Sequence, residues 1–523
     1  VAIIRTDIGN LVYKPRDMRT ESYIYKLVER YFSDVVGIPV CIAFEDKFGV
    51  SGFITKQRSE GAENAKLFWH NMGGAAAVMK LLGSTDMHFE NITCRDNKPY
   101  ILDLETIISP NVSNADYKLL HPELNDLKST SLYFSALLPN EHDGRQYSVL
   151  MNTDEDGCAP VVNNTKVSVT GYMHEFTGGY DAVYRRITEN REDIAKLIKS
   201  FPADLPVRLL IRDTRVYYDT RQKLYHRNAL ANYEKRQRTS GVLSEIMRHN
   251  IRPEFMEAID SEIKQLERGD IPCVMTLTDS RDLYSDGKKV AENVFERSAV
   301  THILDTLSAM SGKDEIFDLE LIERAVAQYP GKLDKAEEKS PALPARNSGL
   351  LSQEQALNEA GELFETLFDI CIHAPDGKLF WGYVFDGDYS FRFCESGLAN
   401  GLMGIAVFAA AYAFVTKDSR AEELAGKAVD EAVAVLDRMY DYLRFKGFSR
   451  DFAPFLGEAE GIGGVLTGLS LLRRYTDRGD IVGLQEKALF TLEQFDMSSY
   501  GAPDRMIGMS GLLSALCRSP EYK

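Results

Sequence analysis

Two short stretches carry residue types that phosphate chemistry uses. Gly83-Ser-Thr-Asp86-Met-His88-Phe-Glu90-Asn91 is followed, twelve residues after Asn91, by Asp103-Leu-Glu105. A transferring phosphoryl group is highly anionic, so Mg²⁺ must be held by hard oxygen ligands while a carboxylate orients the incoming hydroxyl. Asn91 and Asp103 suit the metal, and Asp86 suits the hydroxyl. Upstream, Val12-Tyr-Lys14-Pro-Arg16 supplies a lysine that could pair with the phosphates of a donor.

Asp86 and Asn91 stand at D-x-x-x-x-N, the spacing of a kinase catalytic loop, and Asp103 falls where the second metal-binding aspartate follows. Taken singly, an Asp, His or Asn in a loop is usually a turn or cap residue, and a Lys on a strand edge is usually solvated. The order of strand lysine, helix, D-x-H-x-x-N loop and short apolar strand favours phosphoryl transfer with ATP as donor.

The elements that must position these residues are legible in outline. Val1 to Arg16 alternates around Asp7-Ile-Gly-Asn10, which predicts a β-hairpin with Lys14 near the end of its second strand. Ile24, Leu27, Val28, Tyr31 and Phe32 recur at helical spacing, and a second helix is expected around Ala62 to Leu82. Tyr100 to Leu104 reads as a short strand with Asp103 near its end, and Pro206 to Ile211 as another. Along that second strand Arg208 and Arg212 alternate to one face, so two guanidinium groups would face one anion.

A stretch rich in Pro, Gly and charge, residues 329–352, is the expected linker. Beyond it, Gly401-x-x-Gly404, Gly461-x-x-Gly464 and Gly508-x-x-Gly511 each open an apolar run, which predicts stacked helical hairpins. The net charge of -17 leaves no basic stripe for nucleic acid. Leu402 to Val415 is short for a membrane span, and no membrane anchor is visible. Seven scattered cysteines without a C-x-x-C pair fit reduced thiols and a cytoplasmic setting. The start at Val1 and the stop at Lys523 look cut at both ends.

Val12-Tyr-Lys-Pro-Arg16, Asp86-x-His88-x-Glu90-Asn91 and Pro99-Tyr-Ile-Leu-Asp103-Leu-Glu105-Thr106 resemble the dehydratase domain of class II lanthipeptide synthetases. Gly397-Leu-x-x-Gly401-x-x-Gly404 resembles the start of the cyclase domain of that family. The resemblance implies an α+β kinase-like fold, related to lipid kinases, over residues 1–328, lacking its N-terminal part. An incomplete all-α, α/α-toroid-like domain would then occupy residues 353–523. It implies ATP and Mg²⁺ as requirements, and a precursor peptide with a leader segment as partner. Ser and Thr of that peptide would be phosphorylated and the phosphate eliminated.

In that scheme Lys14 binds phosphate and Asp86 activates the hydroxyl. His88, Asn91, Asp103 and Glu105 complete the metal and phosphate site. Arg208 and Thr214 match the arginine and threonine, six residues apart, that the family uses for elimination.

Two departures stand out. Phe48-Gly-Val-Ser-Gly52 occupies the place of a family segment carrying an acid that would anchor Lys14. The Cys and His contexts of the family zinc site do not occur after Ser352, so Zn²⁺ and thioether ring closure are expected only of a full-length enzyme. Two rivals remain open, a kinase of peptide or lipid hydroxyls that stops at phosphorylation and a peptide-binding pseudoenzyme.

Overall fold

The computed structural model describes residues 2–7, 9–110, 122–142, 144–249, 253–329, 352–385, 387, 389–446, 456–459, 461–493 and 504–518. The chain falls into two compact units, residues 1–115 with 126–319 and residues 116–125 with 320–523. The expected linker 329–352, apart from Tyr329 and Ser352, lies outside the described residues.

The first unit opens with the expected hairpin. Strand β1 (Ala2–Thr6) pairs antiparallel with β2 (Gly9–Lys14), Ala2 opposite Tyr13 and Thr6 opposite Gly9, so Lys14 is the last residue of β2. Helix α1 (Arg19–Tyr31) buries Ile24, Leu27 and Val28, the face its spacing predicts, with Glu21 in its first turn. Strands β3 (Cys41–Phe44) and β4 (Phe48–Gly52) complete a sheet in the order β1-β2-β4-β3, which sets Gly49 opposite Lys14.

Helix α2 (Ala62–Leu82) is buried on nearly every side along its last two thirds. Its small residues explain how. A Cβ on Gly73 would lie 1.9 Å from the Phe176 carbonyl oxygen, and one on Gly179 would lie 1.8 Å from that of His70. The backbones of α2 and of α3 (Met173–Glu189), which the sequence reading did not foresee, therefore meet without side chains between them. Between these two helices in sequence, β5 (Ile92–Arg95) and β6 (Lys98–Ile101) form a hairpin, and Asp103 lies two residues past its end rather than within it.

Further along, β7 (Pro206–Leu209) leads into α4 (Thr214–Leu224), α5 (Tyr233–His249) and α6 (Ile259–Arg268). These helices share a core of Tyr217, Leu224, Leu243, Met247 and Leu266. Strand β7 pairs antiparallel with β8 (Val274–Leu277), followed by β9 (Leu283–Ser285) and β10 (Lys288–Ala291). Helices α7 (Ala299–Ala309) and α8 (Gly312–Gln328) come next. Lys80 of α2, wholly buried, points at Asp314 and Asp318 at 3.0 and 2.5 Å and donates to the Thr130 carbonyl. Tyr180 and Tyr184 donate to the same two carboxylates.

The second unit is mainly helical. Helix α9 (Gln353–Asp369) starts at a capping box in which Ser352 and Gln355 exchange hydrogen bonds. Two short hairpins follow, β11 (Ile372–His373) with β12 (Leu379–Phe380) and β13 (Gly382–Val384) with β14 (Phe391–Phe393). The second unit is therefore not the all-α domain that its sequence leads one to expect. Alternating Phe391 and Phe393 have a strand period that the helix-centred reading passed over.

The glycine repeat holds. Gly401, Gly461 and Gly508 immediately or almost immediately precede α10 (Leu402–Thr416), α12 (Ile462–Leu472) and α14 (Met509–Arg518). Helices α11 (Ser419–Lys446) and α13 (Ile481–Glu493) alternate with them. A Cβ on Gly404, Gly464 or Gly511 would stand 2.2, 2.4 or 2.1 Å from a carbonyl oxygen six residues earlier, that of Leu398, Glu458 or Arg505. One tight entry turn is thus used three times. Among the described residues no helix is long and apolar enough to cross a membrane.

Candidate functional site

Helix α2 ends at Gly83, whose left-handed backbone (φ +64°) turns the chain into the Asp86 loop. The loop is laced on one side to residues 106–109. Thr85 N–H donates to the Thr106 carbonyl at 3.0 Å, and the Thr106 hydroxyl returns a bond to the Thr85 carbonyl at 2.8 Å. On the other side Met87 N–H donates to the Ser135 carbonyl at 2.8 Å.

Held between them, Asp86 adopts φ +61°. A non-glycine residue in this region is uncommon, and Asp tolerates it better than most. The Asn91 amide donates to the Asp86 carbonyl at 2.8 Å and reaches its carboxylate at 3.4 Å. His88 Nδ1 faces the Glu90 N–H at 3.3 Å, and its Nε2 lies 3.3 Å from the Asn91 amide nitrogen and 3.6 Å from Asp86 Oδ1. Burial pushes the Asp86 carboxyl above its ordinary value against the pull of His88, and the nearby Asp103 adds to the rise.

Across from this loop, Lys14 Nζ donates to Asp103 Oδ1 at 3.2 Å. Burial works to raise the Asp103 carboxyl, but Lys14 and Arg16 outweigh it and hold it below the usual carboxylate value. Arg16, quoted in the sequence motif but given no role there, is the hub. Its guanidinium meets Glu21, lies 3.6 Å from Asp103 and contacts Glu105 Oε1 at 3.0 Å. Glu21 is buried against Arg16, and burial raises its carboxyl although Arg16 and, more weakly, Lys14 draw it down.

Glu105 departs from its expected place as a metal ligand. Its other oxygen, Oε2, is taken by Arg208 Nη1, so both oxygens face arginines. Asn91 and Asp103 fit Mg²⁺ better. They are oxygen donors on adjoining backbone, with Leu102 N–H donating to the Asn91 carbonyl at 2.8 Å, and Asp103 and Asp86 form a carboxylate pair whose mutual repulsion a divalent cation relieves. Among the described residues no three His, Cys, Asp or Glu side chains converge as a metal cluster, so phosphate oxygens would have to complete that shell.

Asp86 and Arg208 line one cavity of about 270 Å³, together with Ser109, Ser129, Ser131, Phe134 and His302. A smaller one of about 80 Å³ lies beside Arg16, Glu21, Glu105, Arg208 and Cys273. Arg208 therefore borders both.

The other two residues of the expected clamp sit elsewhere. Strand β7 ends at Leu209, which breaks the alternation that put Arg212 on the face of Arg208. Arg212 is instead buried, its Nε 3.2 Å from both oxygens of Glu262 and its Nη2 donating to the Met247 carbonyl at 2.9 Å. Thr214 is the first residue of α4, just after the N-cap Asp213; it is exposed and does not line the Asp86 cavity. Sequence reasoning missed His302 and the serines at 109, 129 and 131, since they come from segments that carry no motif.

A family profile described as a domain of unknown function, DUF4135, matches residues 1–156 and 147–276, more than half of the chain and all of the loop, strand and arginine just described. The chain belongs to the DUF4135 family. This DUF4135 protein is also similar to the lacticin 481/lactococcin biosynthesis protein LcnDR2 of Lactococcus lactis subsp. lactis, at 21% identity over 260 residues. The match takes in 41% of this chain and 28% of that relative's length.

Proposed function

We propose that the chain carries the dehydratase of a lanthipeptide synthetase, which phosphorylates Ser and Thr of a precursor peptide and then eliminates the phosphate. The observation that carries the reading is the shared cavity of Asp86 and Arg208, a proton acceptor and a phosphate-binding cation bordering one space. The DUF4135 membership and the likeness to a lacticin biosynthesis protein support it.

In the first step Asp86 orients the substrate hydroxyl and takes its proton as the oxygen attacks the γ-phosphorus and the bond to ADP breaks. Lys14, oriented by Asp103, holds the donor phosphates. His88, through Nε2, steadies the Asp86 carboxylate. Mg²⁺ held by Asn91 and Asp103 would neutralise charge on the phosphate oxygens. In the second step the Cα proton passes to solvent, its electron pair forms the Cα–Cβ double bond, the Cβ–O bond breaks and Arg208 stabilises the phosphate that leaves with the pair of that bond. A kinase-like, lipid-kinase-related fold for residues 1–328 and a toroid-like cyclase start for 353–523, with Zn²⁺-dependent thioether closure in a longer enzyme, belong to the same proposal.

A kinase that stops at phosphorylation is the second reading, favoured by the Arg208–Glu105 pairing and by the exposed position of Thr214. Co-expression with a Ser- and Thr-containing precursor peptide, followed by mass spectrometry, separates the two. Water loss supports the dehydratase, stable phosphate gain supports the kinase, and unmodified peptide in the presence of ATP and Mg²⁺ overturns both.

A further inference from the structure

His302 on α7 is 2% exposed, and each of its ring nitrogens faces a backbone carbonyl oxygen, Nδ1 that of Ser109 at 3.0 Å and Nε2 that of Ser129 at 3.1 Å. A carbonyl only accepts. A neutral imidazole has one N–H and one lone pair, so it satisfies one carbonyl and sets its lone pair against the other, whereas an imidazolium satisfies both. The ring is thus caught between two arrangements. Burial holds it below the ordinary imidazole pKa while the two carbonyls pull upward.

The two carbonyls belong to the two walls that hold the Asp86 loop. On the first wall the Ser109 hydroxyl donates to the Gly83 carbonyl at 2.8 Å, and Thr106 is laced to Thr85. The second wall runs from Ser129 to Ser135, whose carbonyl takes the Met87 N–H. Charged groups around the ring are accounted for in turn. Arg297 and Asp305 pair with each other at 3.4 Å, Lys128 lies over the Tyr133 ring, and Lys80 on α2 is engaged with Asp314 and Asp318. Asp86 and Arg208 border the same cavity as His302.

We propose that His302 links anion binding in the Asp86 cavity to uptake of a proton: with an anion beside Arg208 the ring becomes imidazolium, donates to both Ser109 and Ser129, and fastens the two walls around the loop. This rests on the reading of the cavity as a phosphate site. His302 acts through the loop and is a positioning residue.

Sulfate, which does not titrate near neutrality, is the probe. Calorimetric titration of the full chain at about pH 7.5, in buffers of different ionisation enthalpy, should show uptake of about one proton per sulfate bound. His302→Gln, which keeps a donor but cannot gain a proton, should bind sulfate without uptake. Equal uptake by both proteins, no uptake by the wild type, or no sulfate binding overturns the proposal. Should the variant fail to fold, ¹⁵N spectra of the wild-type imidazole decide: the ring should turn doubly protonated on adding sulfate, and an unchanged ring overturns the link. A chain that dehydrates peptide without this linkage loses only the His302 role, whereas one that shows the linkage but modifies no peptide loses only the functional reading.

Discussion

Arg208 pairs through Nη1 with Glu105 Oε2, while Arg16 holds the opposite oxygen of the same carboxylate at 3.0 Å. Glu105 thereby orients two guanidinium groups and competes with any phosphate that approaches Arg208. Glu105→Gln should leave phosphorylation nearly intact but change elimination by about tenfold, the scale of a charge-assisted hydrogen bond. Quantifying phosphopeptide against dehydrated peptide by mass spectrometry checks this. Collapse of phosphorylation would instead return Glu105 to the metal site.

Arg208→Ala should separate the two half-reactions, with phosphopeptide accumulating and its elimination slowed by about 10²-fold or more, as for loss of a donor to a developing anion. Time courses with a synthetic phosphopeptide isolate the second step. Elimination at the wild-type rate would rule out the clamp.

Asp86 combines a left-handed backbone with a carboxyl that burial pushes above its ordinary value of 3.8. Asn is well tolerated at that backbone and cannot ionise. Asp86→Asn should therefore lose peptide modification by about 10²–10⁴-fold while unfolding no more easily than the wild type. The sign follows from linkage. A carboxyl raised in the folded state costs stability as pH climbs from the ordinary Asp value through the raised one, so the variant's relative stability should improve over that window. Thermal unfolding across the acid range measures it, and a variant that unfolds early would mean that the lost activity says nothing about proton transfer.

Lys80 and Asp318 are both sealed from solvent. Burial alone would lower the Lys80 pKa, but Asp318 and Asp314 reverse the sign and keep it raised. Lys80→Met leaves two carboxylates without their cation and should cost about 3–5 kcal/mol at neutral pH. The loss should shrink as pH falls, since burial raises the Asp318 carboxyl and it protonates first. Denaturant unfolding at two pH values is the measurement, and a loss below about 1 kcal/mol would place the pair among ordinary surface bridges.

Much of the site was legible because its residues lie close in sequence. Lys14 at a hairpin end and Asp86 to Asn91 followed by Asp103 are local patterns, and the structure sets Lys14 and Arg16 against Asp103, whose charge in turn reaches Asp86. The three glycine-led helix entries were legible for a similar reason, since period and residue type coincide there. Legibility ended where a side chain's direction depends on the exact end of an element. A strand two residues shorter than expected turned Arg212 away toward Glu262. It also ended where partners lie far apart in the chain, as with His302 and the carbonyls of Ser109 and Ser129. A backbone carbonyl leaves no signature in a sequence, so neither wall of the cavity could be foreseen.

The bare contact of Gly73 with the Phe176 carbonyl and of Gly179 with that of His70 makes α2 a lever. Its fulcrum is the glycine crossing, and its tip is Gly83, ten residues on, or about 15 Å along a helix axis. A single methyl placed at the fulcrum cannot be absorbed by a rotamer change, because the obstacle is main chain. The rod has to tilt, and the tilt arrives where Asp86 begins. Small residues remote from phosphate would then set catalytic alignment, and variation at Gly73 or Gly179 would be felt as lost turnover before it is felt as lost fold.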